Sequence, residues 1–256
     1  STVVINTACT TVYVRTSNVG SLPATSCSGA TAANYSFTYT SGSVVIEKKT
    51  LTATASSHSV TYGDAKPTVT PSYDGFVNSQ NATALTTAPT CDTTYSTTSG
   101  FGTVASTCSG GVATNYSFSF TPGVISVAKK TLTVTASSHI VTYGDSAPSP
   151  TPSYDGWVNS QGVGAITTAP TCTTAYTNTT AVASSGIATL CSGGLATNYA
   201  FTFVAGAITI NAKGVVVTAS SPTVTYGDVI PSITPSYGDF VNGQSSTVVS
   251  NTSCTT

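Results

Sequence analysis

Apolar and polar residues alternate along much of the chain with a period of two. In "TLTVTAS" at 131–137, Leu132, Val134 and Ala136 alternate with threonines, which predicts a strand with one buried face. Threonine is β-branched, so the outward positions favour the strand too. "NYSFSF" at 115–120 places Tyr116, Phe118 and Phe120 on one face. The "TPG" that follows predicts a hairpin turn into "VISV", with Ile125 and Val127 inward. The equivalent turns keep only Gly42, Gly123 and Gly206, a residue suited to positive φ. No segment holds a helical period; the best candidate is a single turn near 78–85. The pattern predicts an all-β chain.

The same pattern returns along the chain. "VTYGD" occurs at 60–64, 141–145 and 224–228, in steps of 81 and 83 residues. "CSGATAANYSFTYTSG" at 27–42 returns in related form at 108–123 and 191–206, in the same steps. "TPSYDGFVNS" at 70–79 becomes "TPSYDGWVNS" at 151–160 and "TPSYGDFVNG" at 234–243. Three markers keep one period of about 82 residues, so the chain is a tandem array. "STVVINTACTT" at 1–11 matches "STVVSNTSCTT" at 246–256, three periods apart. With seams near Lys49, Lys130 and Lys213, residues 1–47 form the C-terminal half of a repeat. Residues 48–128 and 129–211 form complete repeats, and 212–256 the N-terminal half of another. Each repeat suits a small two-layer β-sandwich of immunoglobulin-like type or a β-grasp-like sheet, and burial at this size calls for a staple.

The seven cysteines supply it, at alternating spacings of 18, 64, 17, 64, 19 and 63 residues. The short steps pair Cys9 with Cys27, Cys91 with Cys108 and Cys172 with Cys191, one disulfide per repeat. Each closes a loop worth roughly 3 kcal/mol in the chain-entropy model. Cys254 is left as the first half of a fourth pair, its partner expected about 18 residues beyond Thr256 by the same spacing. Disulfides on this scale imply an oxidising, extracellular setting. No Cys pair stands at zinc-ligand spacing, and the third repeat puts Pro222 where His58 and His139 stand, so no metal or other cofactor is expected.

Charged residues are only 6% of the chain, against about 25% in ordinary soluble domains, and the net charge is −1. Nothing in that balance attracts nucleic acid. Such a Thr/Ser-rich, weakly charged coat favours association with copies of itself. No apolar run is long enough to span a bilayer, so no membrane insertion is expected. The start "STVVINTACT" lacks the pattern of a signal peptide, and the sequence has no Met; the chain reads as a processed product or a window of a longer one.

Taken together, "LTVTASS", "VTYGD", "TPSYDGFVN" and "CSGGVATNYSFSFTPGVISV" resemble the MBG-type repeat of bacterial surface and adhesin-like proteins, over the entire chain. The resemblance implies an exported bacterial chain built of stalk or adhesin modules, and no enzyme.

Each chemical candidate has a plainer reading. Asp64, Asp145 and Asp228 suit turn caps better than calcium ligands, since no acid-rich loop accompanies them. Ser57-His58 and Ser138-His139 put their side chains on opposite strand faces, and the third repeat has Ser221-Pro222, so no catalysis is expected. The aromatic slots are read as structural: Tyr62, Tyr143 and Tyr226 in the first motif, and Tyr73 with Phe76, Tyr154 with Trp157 and Tyr237 with Phe240 in the second. Lys49, Lys130 and Lys213 with Asn78, Asn159 and Asn242 are formal isopeptide candidates, and acids to assist them are scarce. Asn34, Asn81, Asn115, Asn178 and Asn251 begin glycosylation sequons, which a Ser/Thr-rich chain produces by chance.

Only a few residues separate the last strand of one repeat from the first of the next, so the array is expected to be a semi-rigid rod. The leading expectation is an extracellular stalk or filament associating with its own copies. The alternatives are an adhesin that binds glycan or a host surface, and a subunit whose half-repeats complete one another in a polymer.

Overall fold

The computed structural model describes residues 6–250 and 253–254. Residues 1–5, at the start of the terminal match, and Asn251, which begins the last sequon, lie outside the described residues. The chain forms two units, Ser1–Ala128 and Lys129–Thr256. Among the described residues there is no α-helix, only short 3-10 turns.

In the first unit the half-repeat contributes β1 (Ala8–Thr11), β2 (Ala24–Ser28) and β3 (Gly42–Ser43), in one antiparallel sheet. The complete repeat follows with β4 (Lys49–Ala55), β5 (His58–Thr61), β6 (Pro71–Asp74), β7 (Thr90–Thr93), β8 (Gly102–Ser109), β9 (Tyr116–Thr121) and β10 (Gly123–Ala128). They make two small sheets, ordered β6-β4-β9 and β5-β10-β8-β7. Alternation along β4 buries Leu51, Ala53 and Ala55, and alternation along β10 buries Ile125 and Val127. Leu51, Ala113 and Tyr116 form a core cluster, with Tyr73, Phe76, Leu85 and Phe118 packed against it.

The expected hairpin at 115–127 does not form. β9 runs parallel to β4, and β10 runs parallel to β5. Residues 49–61 and 116–128 are thus two strands side by side, each bent once as it passes from one sheet into the other. "TPG" makes a corner and not a reversal. Gly42, Gly123 and Gly206 are absent from the positive-φ residues among those described. What Gly123 supplies is close approach: a Cβ there would collide with the carbonyl oxygens of Ala55 and Ser56 and with Ser106 Oγ, which itself donates to Ser56 O at 2.8 Å. At Gly206 the same collision involves Ala136, Ser137 and Thr189. A period-two pattern with a turn signal in its middle fits a bent strand as well as a hairpin, and the sequence alone does not separate them.

The second unit repeats this plan. Its complete repeat comprises β11 (Lys130–Ala136), β12 (His139–Thr142), β13 (Pro152–Asp155), β14 (Ile166–Thr168), β15 (Thr171–Thr174), β16 (Ile187–Ser192), β17 (Leu195–Ala196), β18 (Tyr199–Val204) and β19 (Gly206–Asn211). The main sheets are ordered β13-β11-β18 and β12-β19-β16-β15. Its half-repeat carries β20 (Val217–Ala219) and β21 (Pro235–Tyr237), paired with each other.

Disulfides join Cys9–Cys27, Cys91–Cys108 and Cys172–Cys191. Each links residues directly opposite in an antiparallel pair, β1–β2, β7–β8 and β15–β16. Cys254 is free and half-buried.

Candidate repeat-junction interface

The two recurring aromatic motifs build two local structures. In the first, the Asp64 carboxylate accepts from the Thr61 N–H at 2.7 Å while the Asp64 N–H donates to Thr61 O at 2.9 Å, closing a tight turn over Gly63 at φ 92°. Asp145 closes the same turn on Thr142, and Asp228 on Thr225. A phenol from the second half of the repeat then holds the turn: Tyr95 Oη donates to Asp64 O at 2.9 Å, and Tyr176 Oη to Asp145 O at 3.1 Å. Burial, and then the nearby aspartate charge, hold both phenols above the usual tyrosine range. Tyr62 is buried and Tyr143 half-buried beneath their turns, whereas Tyr226 is exposed.

The second motif is an aromatic plug followed by a left-handed turn. Phe76 meets Tyr73 at 5.9 Å and Tyr116 edge-on at 5.3 Å. Trp157 meets Tyr154 at 5.9 Å and Tyr199 edge-on at 5.1 Å, and Phe240 meets Tyr237 at 6.2 Å. Trp157 is half-buried in this packing. The Tyr116 and Tyr199 hydroxyls accept from Val77 N–H and Val158 N–H and donate to Gln80 and Gln161. The backbone then turns left-handed at Asn78, Asn159 and Asn242, with φ of 54°, 55° and 54°. Asparagine tolerates that region better than other side-chain-bearing residues.

That turn projects the asparagine onto the neighbouring repeat. In the first unit, Asn78 Nδ2 donates to Arg15 O at 2.9 Å, joining the complete repeat to the half-repeat before it. In the second, Asn242 Nδ2 donates to Asn178 O at 2.7 Å, joining the following half-repeat to the complete repeat. The accepting carbonyls lie in one kind of turn: Val14 N–H bonds Ser17 Oγ, and Thr177 N–H bonds Thr180 Oγ1. Asn115 adds to the first junction, its Oδ1 accepting from Val19 N–H at 2.9 Å and its Nδ2 donating to Asn18 Oδ1 at 2.8 Å. A cleft lined by Tyr13, Arg15, Lys49, Asn78 and Tyr116 marks that seam, and one lined by Tyr143, Val182, Lys213, Phe240 and Val241 marks the second. In the second, the two motifs touch: a Cβ on Gly144 would lie 2.6 Å from Val241 Cγ2. "VTYGD" of one repeat therefore abuts "DFVN" of the next.

The other candidates fall into place around this interface. Lys49 and Asn78 line one cleft, and the Asn78 amide is engaged by Arg15 O. Neighbouring Lys48 and Lys129 reach back to Ala113 O and Ala196 O, each at 2.9 Å. His58 Nε2 lies 2.9 Å from Ser56 Oγ, and His139 Nε2 2.8 Å from Ser137 Oγ. These serines, at the bends between β4 and β5 and between β11 and β12, are partners that the adjacent Ser57-His58 reading missed. Ser56 Oγ also accepts from Thr70 N–H, a bond that Ser220 repeats with Thr234 beside Pro222. The bond that travels through all three repeats is the structural one. Among the described residues no three His, Cys, Asp or Glu side chains cluster to hold a metal, and no helix is long and apolar enough to cross a membrane. Of the sequon asparagines, Asn81 caps a 3-10 turn through Thr83 N–H and Asn115 is tied into the junction.

Sequence reasoning missed the role of Asn78 and Asn242 in joining repeats, and of Tyr95 and Tyr176 in pinning the turn. For both, the signal was recurrence in phase with the repeat: tyrosines stand at 13, 95 and 176, and asparagines at 78, 159 and 242.

No curated protein matches the chain. The family model for the MBG domain of YGX type matches residues 51–126 and 132–209, together more than half of the sequence. Both matched segments contain a Tyr-Gly-Asp tripeptide, Tyr62-Gly63-Asp64 and Tyr143-Gly144-Asp145, at the turns that Tyr95 and Tyr176 pin. The chain is a tandem array in the MBG domain (YGX type) family.

Proposed function

We propose that this chain is a stiff spacer in an exported bacterial surface protein, contributing reach and no enzymatic chemistry. The observation that carries the proposal is the repeated junction bond, Asn78 to Arg15 O and Asn242 to Asn178 O. A joint made twice in the same way holds successive repeats in one arrangement. Three disulfides and sparse charge suit an oxidising exterior and contact between copies of the chain.

Small-angle X-ray scattering of the chain tests the proposal. The expected profile fits one conformer, and Asn78→Gly with Asn242→Gly shifts it toward a flexible ensemble. A parent profile that already requires such an ensemble overturns the reading.

Glycan binding is a second reading, supported by half-exposed Phe120 and Phe203 beside Phe118 and Phe201. It predicts glycan-array signal lost in Phe120→Ala with Phe203→Ala; the packed Trp157 is not the residue to test.

A further inference from the structure

The junction asparagines open one turn, built the same way each time. Asn78, Asn159 and Asn242 stand at φ 54°, 55° and 54°, and the residues after them, Ser79, Ser160 and Gly243, at 57°, 55° and 68°. Gln80, Gln161 and Gln244 close the turn, their N–H groups donating to Val77 O, Val158 O and Val241 O at 3.1 Å. All three asparagines and the residues after them are exposed, within complete repeats as at the third position, so solvent access belongs to the turn itself. One position differs. A Cβ on Gly243 would meet nothing within 4 Å, and Ser79 and Ser160 hold the same left-handed backbone, so the fold does not demand glycine there. What glycine changes is access to its own backbone nitrogen, which no side chain shields. Asn242-Gly243 is the one Asn-Gly pair in the sequence.

We propose that Asn242-Gly243 is a site of spontaneous covalent modification, where asparagine converts to aspartate and isoaspartate and so releases its own repeat junction. The Gly243 backbone nitrogen attacks Asn242 Cγ, forming an N–Cγ bond as the Cγ–Nδ2 bond breaks. The proton lost by Gly243 leaves with Nδ2 as ammonia, and a cyclic imide remains. Water then opens the imide: cleavage at Cγ gives aspartate, and cleavage at the main-chain carbonyl gives isoaspartate. Nothing is oxidised or reduced. The change removes the Nδ2 donor that holds Asn178 O at 2.7 Å and sets a carboxylate, which only accepts, against that carbonyl. Asn78 makes the equivalent bond to Arg15 O but is followed by Ser79, so its joint persists. The consequence for stiffness rests on the spacer reading; the chemistry does not.

The test is peptide mapping by mass spectrometry of the folded protein during prolonged incubation in neutral and mildly alkaline buffer. Conversion at Asn242 is expected, with isoaspartate among the products, faster as pH rises, and absent at Asn78 and Asn159. Gly243→Ser should abolish it, and Ser79→Gly should bring it to Asn78. Spin labels at Val163→Cys and Thr223→Cys, with Cys254→Ser, read the joint: their distance distribution should broaden as Asn242 converts, be broad from the outset in Asn242→Asp, and stay narrow in Gly243→Ser. An Asn242 that keeps its amide in the folded protein while the urea-unfolded chain loses it overturns the proposal, as does equal conversion at Asn78 or Asn159, or a distribution unchanged by complete conversion. The spacer reading fails differently, through a distribution already broad before any conversion.

Discussion

Three kinds of position show how the presence or absence of one side chain decides local stability. The Tyr73 hydroxyl is buried without a hydrogen-bond partner. Tyr73→Phe removes that cost and should leave stability unchanged or raise it by up to about 1 kcal/mol in urea denaturation. Gly123 has the opposite character, because any Cβ meets Ala55 O, Ser56 O and Ser106 Oγ. Gly123→Ala should therefore cost roughly 1–3 kcal/mol, the range for forced overpacking. Tyr95 and its equivalent Tyr176 give a pH dependence. Burial first, and the aspartate charge second, raise their ionisation above the unfolded value. The folded state then retains phenolic protons that the unfolded chain releases, so their contribution is fully present below about pH 10 and declines as pH rises through the folded values. Urea midpoints should fall above that pH, and fall less steeply in Tyr95→Phe with Tyr176→Phe.

At the scale of elements, each complete repeat rests on a bent pair of parallel strands and carries one disulfide in a neighbouring antiparallel pair, β7–β8 or β15–β16. That disulfide lies within the second half of its repeat and restricts the unfolded chain by closing a span of 17 or 19 residues. Reduction should lower repeat stability by about 3 kcal/mol, read as a drop in urea midpoint. Much of this was legible in the residues. Alternation marked the inward faces of β11 and β10, since Leu132, Val134, Ile125 and Val127 are all buried. Spacing marked the cysteine pairs. The path of the chain between strands was not legible, because Pro122-Gly123 serves a corner as readily as a reversal. The parallel partner of β4, β9, lies 67 residues away in sequence, and no local pattern names it. The junction was hidden for a related reason: Asn78 reads as a turn residue in isolation, and its second role exists only once a neighbouring repeat is present.

At the scale of the whole molecule, the recurrence of "TPSYDGFVNS" has a physical cause. Its aromatic residues plug their own repeat, and the asparagine after them fastens the adjoining one. The central claim is that this fastening holds neighbouring repeats in a single arrangement. The direct measurement is double electron–electron resonance between spin labels at Ser28→Cys in the half-repeat and Thr98→Cys in the complete repeat, with Cys254→Ser. The account predicts one narrow distance distribution, broadened by Asn78→Gly, which keeps the left-handed turn and loses the bond to Arg15 O. A broad distribution in the labelled parent, or a narrow one untouched by Asn78→Gly, would contradict it.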